Sequence, residues 1–159
     1  MELPNQELHR VTSTAIVHKD GKYLILQRSL NKKAFPGKWT VPGGGLMVGD
    51  YINLASSGAG QWYNAVEQSL LREIKEETGL VVGKLNYLVD IAFIRSDNIP
   101  VVILSYYCDY QGGEVKLNEE SIDYKWVSAL EAKNYDLIEG IAEEIAMVDQ
   151  KIKANAKLN

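Results

Sequence analysis

Cysteine occurs once in 159 residues, at Cys108, so no disulfide framework can form within the chain. It lies in VVILSYYCDY, an apolar β-like run, and reads as a buried structural thiol rather than a nucleophile. Histidine occurs only as His9 and His18, with no second His or Cys at metal-ligand spacing, which argues against a zinc site. No Ser/His/Asp arrangement can be read. Basic charge is in deficit: 17 Lys and Arg stand against 21 Asp and Glu, a net charge of −4. That balance argues against a nucleic-acid partner, which would need a basic face. No apolar run approaches the ~18–20 residues of a membrane span, and MELPNQELHR has no apolar core of a signal peptide. The expected setting is the cytoplasm, with no membrane partner.

The chain is long enough for one domain with a hydrophobic core, expected over residues 1–159. VTSTAIVH (11–18) and KYLILQR (22–28) are β-rich and joined through Asp20-Gly21, a hairpin signal. WTV (39–41) is a short strand stopped by Pro42 and three glycines. LNYLVDIAFI (85–94) and PVVILSYYCDY (100–110) are two long strands, VKL (115–117) is a short edge strand, and YKWV (124–127) is another strand. Ser128 reads as an N-cap with Glu131 completing a capping box. Residues 137–154 carry apolar side chains at 137, 138, 141, 145 and 148, the spacing of an amphipathic helix. Strands, glycine loop, helix, strands and helix in that order predict an α+β fold. The glycines fit neither GxGxxG at the start of a helix nor a Walker loop.

A helix is expected from Trp62 or Ala65 to Thr78, ended by Gly79 in a left-handed cap. Val66, Leu70, Leu71 and Ile74 form its apolar face, and Glu73, Glu76 and Glu77 at i, i+3, i+4 sit beside it. A solvated acidic face is the bland reading. Against it, like charges at this spacing repel by a few tenths of a kcal/mol per pair. The helix dipole also disfavours anions in the last turns, by roughly 0.3–1 kcal/mol each. A divalent cation is the natural compensation, and an all-oxygen donor set suits Mg²⁺ or Mn²⁺. Arg72 opens the run, placed for an ion pair with a glutamate or for a phosphate.

Arg72-Glu73-Ile74-Lys75-Glu76-Glu77-Thr78-Gly79-Leu80 matches every defined position of REUxEExGU, the second half of the Nudix box. Gly37-x-Trp39-x-x-Pro42-Gly43-Gly44 resembles the strand and glycine loop that lead into that box, and Gly44-x5-Asp50 resembles its opening, with Asp for Glu. The chain resembles the Nudix hydrolases over most of its length. The resemblance implies a mixed β-sheet sandwiched between α-helices. It implies hydrolysis of a nucleoside diphosphate linked to another moiety, a nucleoside triphosphate or a sugar nucleotide such as ADP-ribose, assisted by Mg²⁺ or Mn²⁺. Residue by residue, Glu73, Glu76 and Glu77 would bind metal, Arg72 would orient one of them, Gly44 would offer backbone near the metal, and Gly79 would end the helix. Arg28 resembles a strand-end arginine that meets phosphate, and Glu120, with Glu119 second, is the candidate for a further ligand or general base. A homodimer is common in the family.

The chain departs from the pattern between the two halves of the box, residues 44–80. The family leaves seven residues between the first glutamate and the arginine; here 21 separate Asp50 from Arg72. The surplus of 14 corresponds to 51–64, and counting back seven instead reaches Asn64, which has no charge. Asp50 is the favoured stand-in, because the upstream spacing and a carboxylate are kept. The insert holds SSGAG (56–60) flanked by Tyr51, Trp62 and Tyr63. Those aromatics either stack on a base or pack the feet of the loop; with Arg28 and Trp39 they form the expected substrate-binding set. A loop this long is often a functional lid, so shortening 57–60 is expected to alter substrate preference more than stability. Two rivals remain. A non-catalytic nucleotide sensor has little need for three clustered carboxylates, and an isoprenoid isomerase on the same fold needs an active-site cysteine, for which Cys108 is poorly placed.

Overall fold

The structure is a computed structural model and describes residues 6–159. Its centre is a parallel pair of long strands, β1 (Arg10–Lys19) and β7 (Pro100–Gly112), paired from Arg10 with Val101 to His18 with Asp109. β2 (Lys22–Arg28) returns from β1 through Asp20 and Gly21, both at positive φ (49° and 73°), as a hairpin turn with Asp-Gly requires. β3 (Trp39–Thr40) and β8 (Ser121–Val127) pair antiparallel with β2 on its two sides, the β8 register shifting between Gln27 and Arg28, while β6 (Asn86–Ile94) pairs antiparallel with β7.

Alternation along β1 and β2 explains the layers. Ala15, Val17, Leu24 and Leu26 join one core cluster with Leu70 and Ile74 of α1 (Ala65–Thr78). Ile16, Tyr23 and Ile25 join the other with Ile145 and Val148 of α3 (Ile141–Lys157). Successive strand residues point to opposite faces, so a strand apolar throughout needs cover on both. Helices supply it, and the expected sheet between helices is what the chain forms.

Several elements differ from expectation. The three glycines are not a loop: Gly43–Gly45 forms β4, paired antiparallel with Thr12–Thr14 of β1. A Cβ on Gly43 would lie 2.2 Å from the Ser13 carbonyl oxygen, so only glycine permits this approach. VKL at 115–117 is not a strand; a single bond from Lys116 N–H to the Thr78 carbonyl ties it to the end of α1. A two-residue strand, β5 (Val81–Val82), was not anticipated and pairs with β7. α2 (Ala129–Ala132) has the expected Ser128–Glu131 capping box but ends after one turn. The last helix begins at Ile141 rather than 137, because Gly140 at φ 94° leaves helical geometry and Ile138 N–H donates to the Trp39 carbonyl instead. Leu71 is 42% exposed and leaves the apolar face of α1, since it stands 100° round the helix from Leu70.

Candidate active site

α1 ends as its sequence implies. Gly79 sits at φ 72° and its N–H donates to the Lys75 carbonyl, with the Lys75 ammonium on the Gly79 carbonyl. The glycine strand β4 runs beside this end of the helix. Gly43 N–H donates to Glu77 Oε2 at 3.1 Å. A Cβ on Gly44 would stand 2.7 Å from the Glu73 carboxyl, so the missing side chain is what lets the helix carboxylates lie against the strand.

The carboxylates divide into two groups. Around Arg72, the guanidinium donates to Asp50 Oδ1 at 2.8 Å, Glu73 Oε1 at 2.9 Å and Glu76 Oε2 at 2.8 Å. Asp50 closes a short 3₁₀ turn, Val48–Asp50, and also accepts from Met47 N–H and Ser69 Oγ. Burial works against its charge, but the Met47, Ser69 and Arg72 bonds outweigh that and hold its carboxyl below the ordinary range. Asp50 therefore meets the box arginine in spite of the 14-residue insert. Asn64 is the left-handed residue before α1 and makes no side-chain cap bond. Of the two stand-ins, Asp50 is the one the fold brings to Arg72.

The second group is Glu77 and Glu120. Glu77 is only 7% exposed. Burial, reinforced by the neighbouring charges of Glu120 and Glu73, pushes its carboxyl up to about 8 in spite of the Gly43 N–H. Glu120 is held below its ordinary range by Lys32, whose ammonium lies 2.6 Å from Oε1, and by a hydrogen bond shared with Glu77. The proton of this pair therefore rests on Glu77. Glu73, half-buried, is raised by burial against the pull of Arg72. Glu119 is exposed and lies outside this group.

Glu77, Glu120, Arg28 and Gly43 line one part of a cavity of about 560 Å³. Arg28 donates from Nε to the Ala34 carbonyl at its rim. The remaining wall is mostly apolar, with Leu26, Phe35, Val41, Ile91, Phe93 and Ile103, and it is closed by Ile138, Glu139, Gly140, Ile141 and Glu144. Of the residues expected to touch substrate, only Arg28 lines this space. Trp39 is 9% exposed and packs edge-on against Tyr135 in the α3-side core. Tyr51 and Trp62 pack on each other at 5.4 Å, with the Trp62 indole N–H on the Leu54 carbonyl, while Tyr63 is 65% exposed. The feet of the insert are thus packed by their own aromatics. Sequence reading missed Phe93, Ile103, Glu139 and Glu144. Glu144 carried a signal: it is three residues after Ile141 and one before Ile145, so a charge sits on the buried stripe of α3.

Among the described residues, no three Asp, Glu, His or Cys side chains are gathered closely enough to enclose a metal ion. Arg72 holds Glu73 and Glu76 in its own ion pairs. The donor chemistry nevertheless suits a hard cation. Glu73, Glu77 and Glu120 are oxygen donors, the Glu120 charge raises the proton affinity of the other two, and a buried carboxylate, Glu77, stands at the centre.

Residues 7–147 match the NUDIX domain family, and the chain belongs to that family. It is 32% identical over 132 residues to the nucleoside triphosphatase NudI of Escherichia coli, an alignment spanning 77% of this chain and 84% of that one. Among solved structures, the MutT protein of Methanosarcina mazei Go1 shares the fold with a TM-score of 0.68 at 24% identity, over 96% of this chain and 99% of that one. The NUDIX domain of Shewanella oneidensis NrtR, solved with ADP ribose, matches with a TM-score of 0.70 at 20% identity, over 91% and 89% of the two chains.

Proposed function

We propose that this Nudix chain is a pyrophosphohydrolase that takes a nucleoside triphosphate or a related nucleotide conjugate into the 560 Å³ cavity and cleaves its pyrophosphate linkage with Mg²⁺ or Mn²⁺. The observation that carries this reading is the buried Glu77 carboxyl. It stands between the Gly43 N–H and Glu120, at the acidic part of an otherwise apolar cavity. Glu73, Glu76 and Glu77 would hold the metal, with Glu120 beside them. A bound divalent cation supplies neutralisation of the pyrophosphate charge and a more acidic attacking water.

The chain's own residues divide the remaining work. Glu120, kept ionised by Lys32, is the proton acceptor. Arg28, at the cavity wall, meets the phosphate chain. Arg72 aligns Glu73 and Glu76, and Asp50 fixes Arg72 through a charge-assisted bond. The apolar wall receives the nucleoside. The similarity to NudI supports a triphosphate over a sugar nucleotide.

The test is phosphate and pyrophosphate release over a nucleotide panel with Mg²⁺ or Mn²⁺, in excess EDTA, and for Glu77→Gln. Turnover that needs metal and collapses in the variant upholds the proposal. Full activity in EDTA overturns the metal-assisted mechanism. No turnover, with thermal stabilisation by a nucleotide, would instead make the chain a binder.

A further inference from the structure

The hydrolytic roles proposed above leave Glu144 unused, yet it is a buried carboxylate in the cavity wall. It is 7% exposed and lies among apolar neighbours on the first turns of α3. Ser105 Oγ, from the middle of β7, donates to its Oε2 at 2.5 Å. Among the described residues no hydrogen bond reaches Oε1. That oxygen lies 3.8 Å from where a Gly140 Cβ would stand, and Gly140 and Glu144 both line the cavity. A bond serving only to tie α3 to β7 would not need a carboxylate, because an apolar pair of like volume does this without desolvating a charge. The serine fixes one oxygen and leaves the other without a hydrogen bond, beside Gly140, in a side chain that lines the cavity.

An aimed carboxylate oxygen accepts hydrogen bonds and repels ligand oxygens. Phe93, Ile91 and Ile103 give the same space flat apolar walls. A second acid, Glu139, lines it too, and the cation Arg28 is grouped with Glu120 and Glu77. Thr12 and Thr14, paired with Ile103 and Ser105, line it as well with hydroxyls that donate or accept, so the two carboxylates are the groups there that only accept. Among nucleobases, an exocyclic amine presents hydrogens outward. The ring N–H of uracil or thymine lies between two carbonyl oxygens that a carboxylate would meet first.

The geometry points to Glu144 as a specificity-determining residue, its Oε1 accepting a hydrogen bond from the exocyclic amine of an amino-bearing base. This rests on the nucleotide reading above and adds the class of base. Ser105 is a positioning residue that holds the carboxylate plane.

CTP and UTP are a matched pair differing at the amino or oxo group. Wild-type kcat/KM is expected to favour CTP by about tenfold or more. Glu144→Gln, whose carbonyl oxygen takes the Ser105 bond and leaves the amide nitrogen as a donor in place of Oε1, brings the ratio towards one, and Ser105→Ala lowers it in part. The same pair is measured by calorimetric titration of the non-hydrolysable α,β-methylene analogues. If nothing is hydrolysed, the pyrophosphohydrolase reading fails, and the Kd ratio still reads Glu144. A CTP/UTP ratio near one in the wild type overturns the proposal, as does binding of neither analogue. A wild-type ratio in Glu144→Gln also overturns it, and a lower melting temperature with that ratio marks Glu144 as a structural tie.

Discussion

Glu77 and Glu144 are equally buried, each 7% exposed, and each lines the same cavity from a helix. Their surroundings differ. Glu77 has carboxylates for neighbours and only a backbone N–H for relief, whereas Glu144 has one hydroxyl and an apolar wall. A cluster of like charges gains from a multivalent cation, while an isolated acceptor gains from a neutral donor. On the proposed reading, the first serves a polyphosphate with metal and the second a base.

Removing each acid in turn is the strongest way to break this contrast. Glu77→Gln is expected to lower kcat by about three orders of magnitude, the scale of losing a positioned acid or base. Glu144→Gln is expected to redistribute kcat/KM among bases while hydrolysis persists. If both variants lose activity uniformly over the nucleotide panel, the division fails.

The pH dependence of the metal-free protein comes next in size. Glu77 is protonated in the fold up to about pH 8, whereas a free glutamate ionises near 4.3. Between those values the folded state binds the extra proton. The stability this gives is therefore complete below the lower value and is lost as pH rises through the upper one. The melting temperature in EDTA should fall from pH 5 to 8.5 by on the order of 5 °C. It should be flatter in Glu77→Gln, with Mg²⁺ restoring the loss. Glu144, raised by burial, adds a smaller slope of the same sign. A curve unchanged in Glu77→Gln would place the titration elsewhere.

Smaller still is the effect of the arm that carries Asp50. Asp50→Asn removes a charge from Arg72 and should cost about tenfold in kcat/KM, whereas Asn64→Ala, which breaks no side-chain cap bond, should leave kcat/KM within twofold. The reverse order would return the first box position to residue 64. Smallest of all, shortening 57–60 is expected to leave the CTP/UTP ratio unchanged, because Tyr51, Trp62 and Tyr63 do not line the cavity. A shifted ratio would restore the insert to the substrate site.

Local rules were enough for much of this molecule. The Asp20-Gly21 turn, the Gly79 cap and the Ser128–Glu131 box all depend on neighbours within a few residues. The family and its sheet between helices followed from nine residues, 72–80, and the strand order around them. What stayed hidden depends on distant chain segments. Three consecutive glycines look like a loop until β1 lies beside them. Glu77 looks no different from Glu76 until β4 covers it. The cavity wall draws on β1, β2, β6, β7 and the segment before α3, a meeting that no spacing along the chain announces.

Asp50 returning to Arg72 across the insert has a practical consequence. The distance in space between the two halves of the motif is fixed by the 3₁₀ turn, Ser69 and Arg72, and the number of residues strung between them is free. Closing a longer loop adds only about 0.6 kcal/mol for each doubling of its length. Residues 57–60 are exposed and are therefore a natural port in the chain. A fluorescent reporter spliced there, or new termini opened there by circular permutation, would enter the chain just before α1 while the pairing of Asp50 with Arg72 stayed intact.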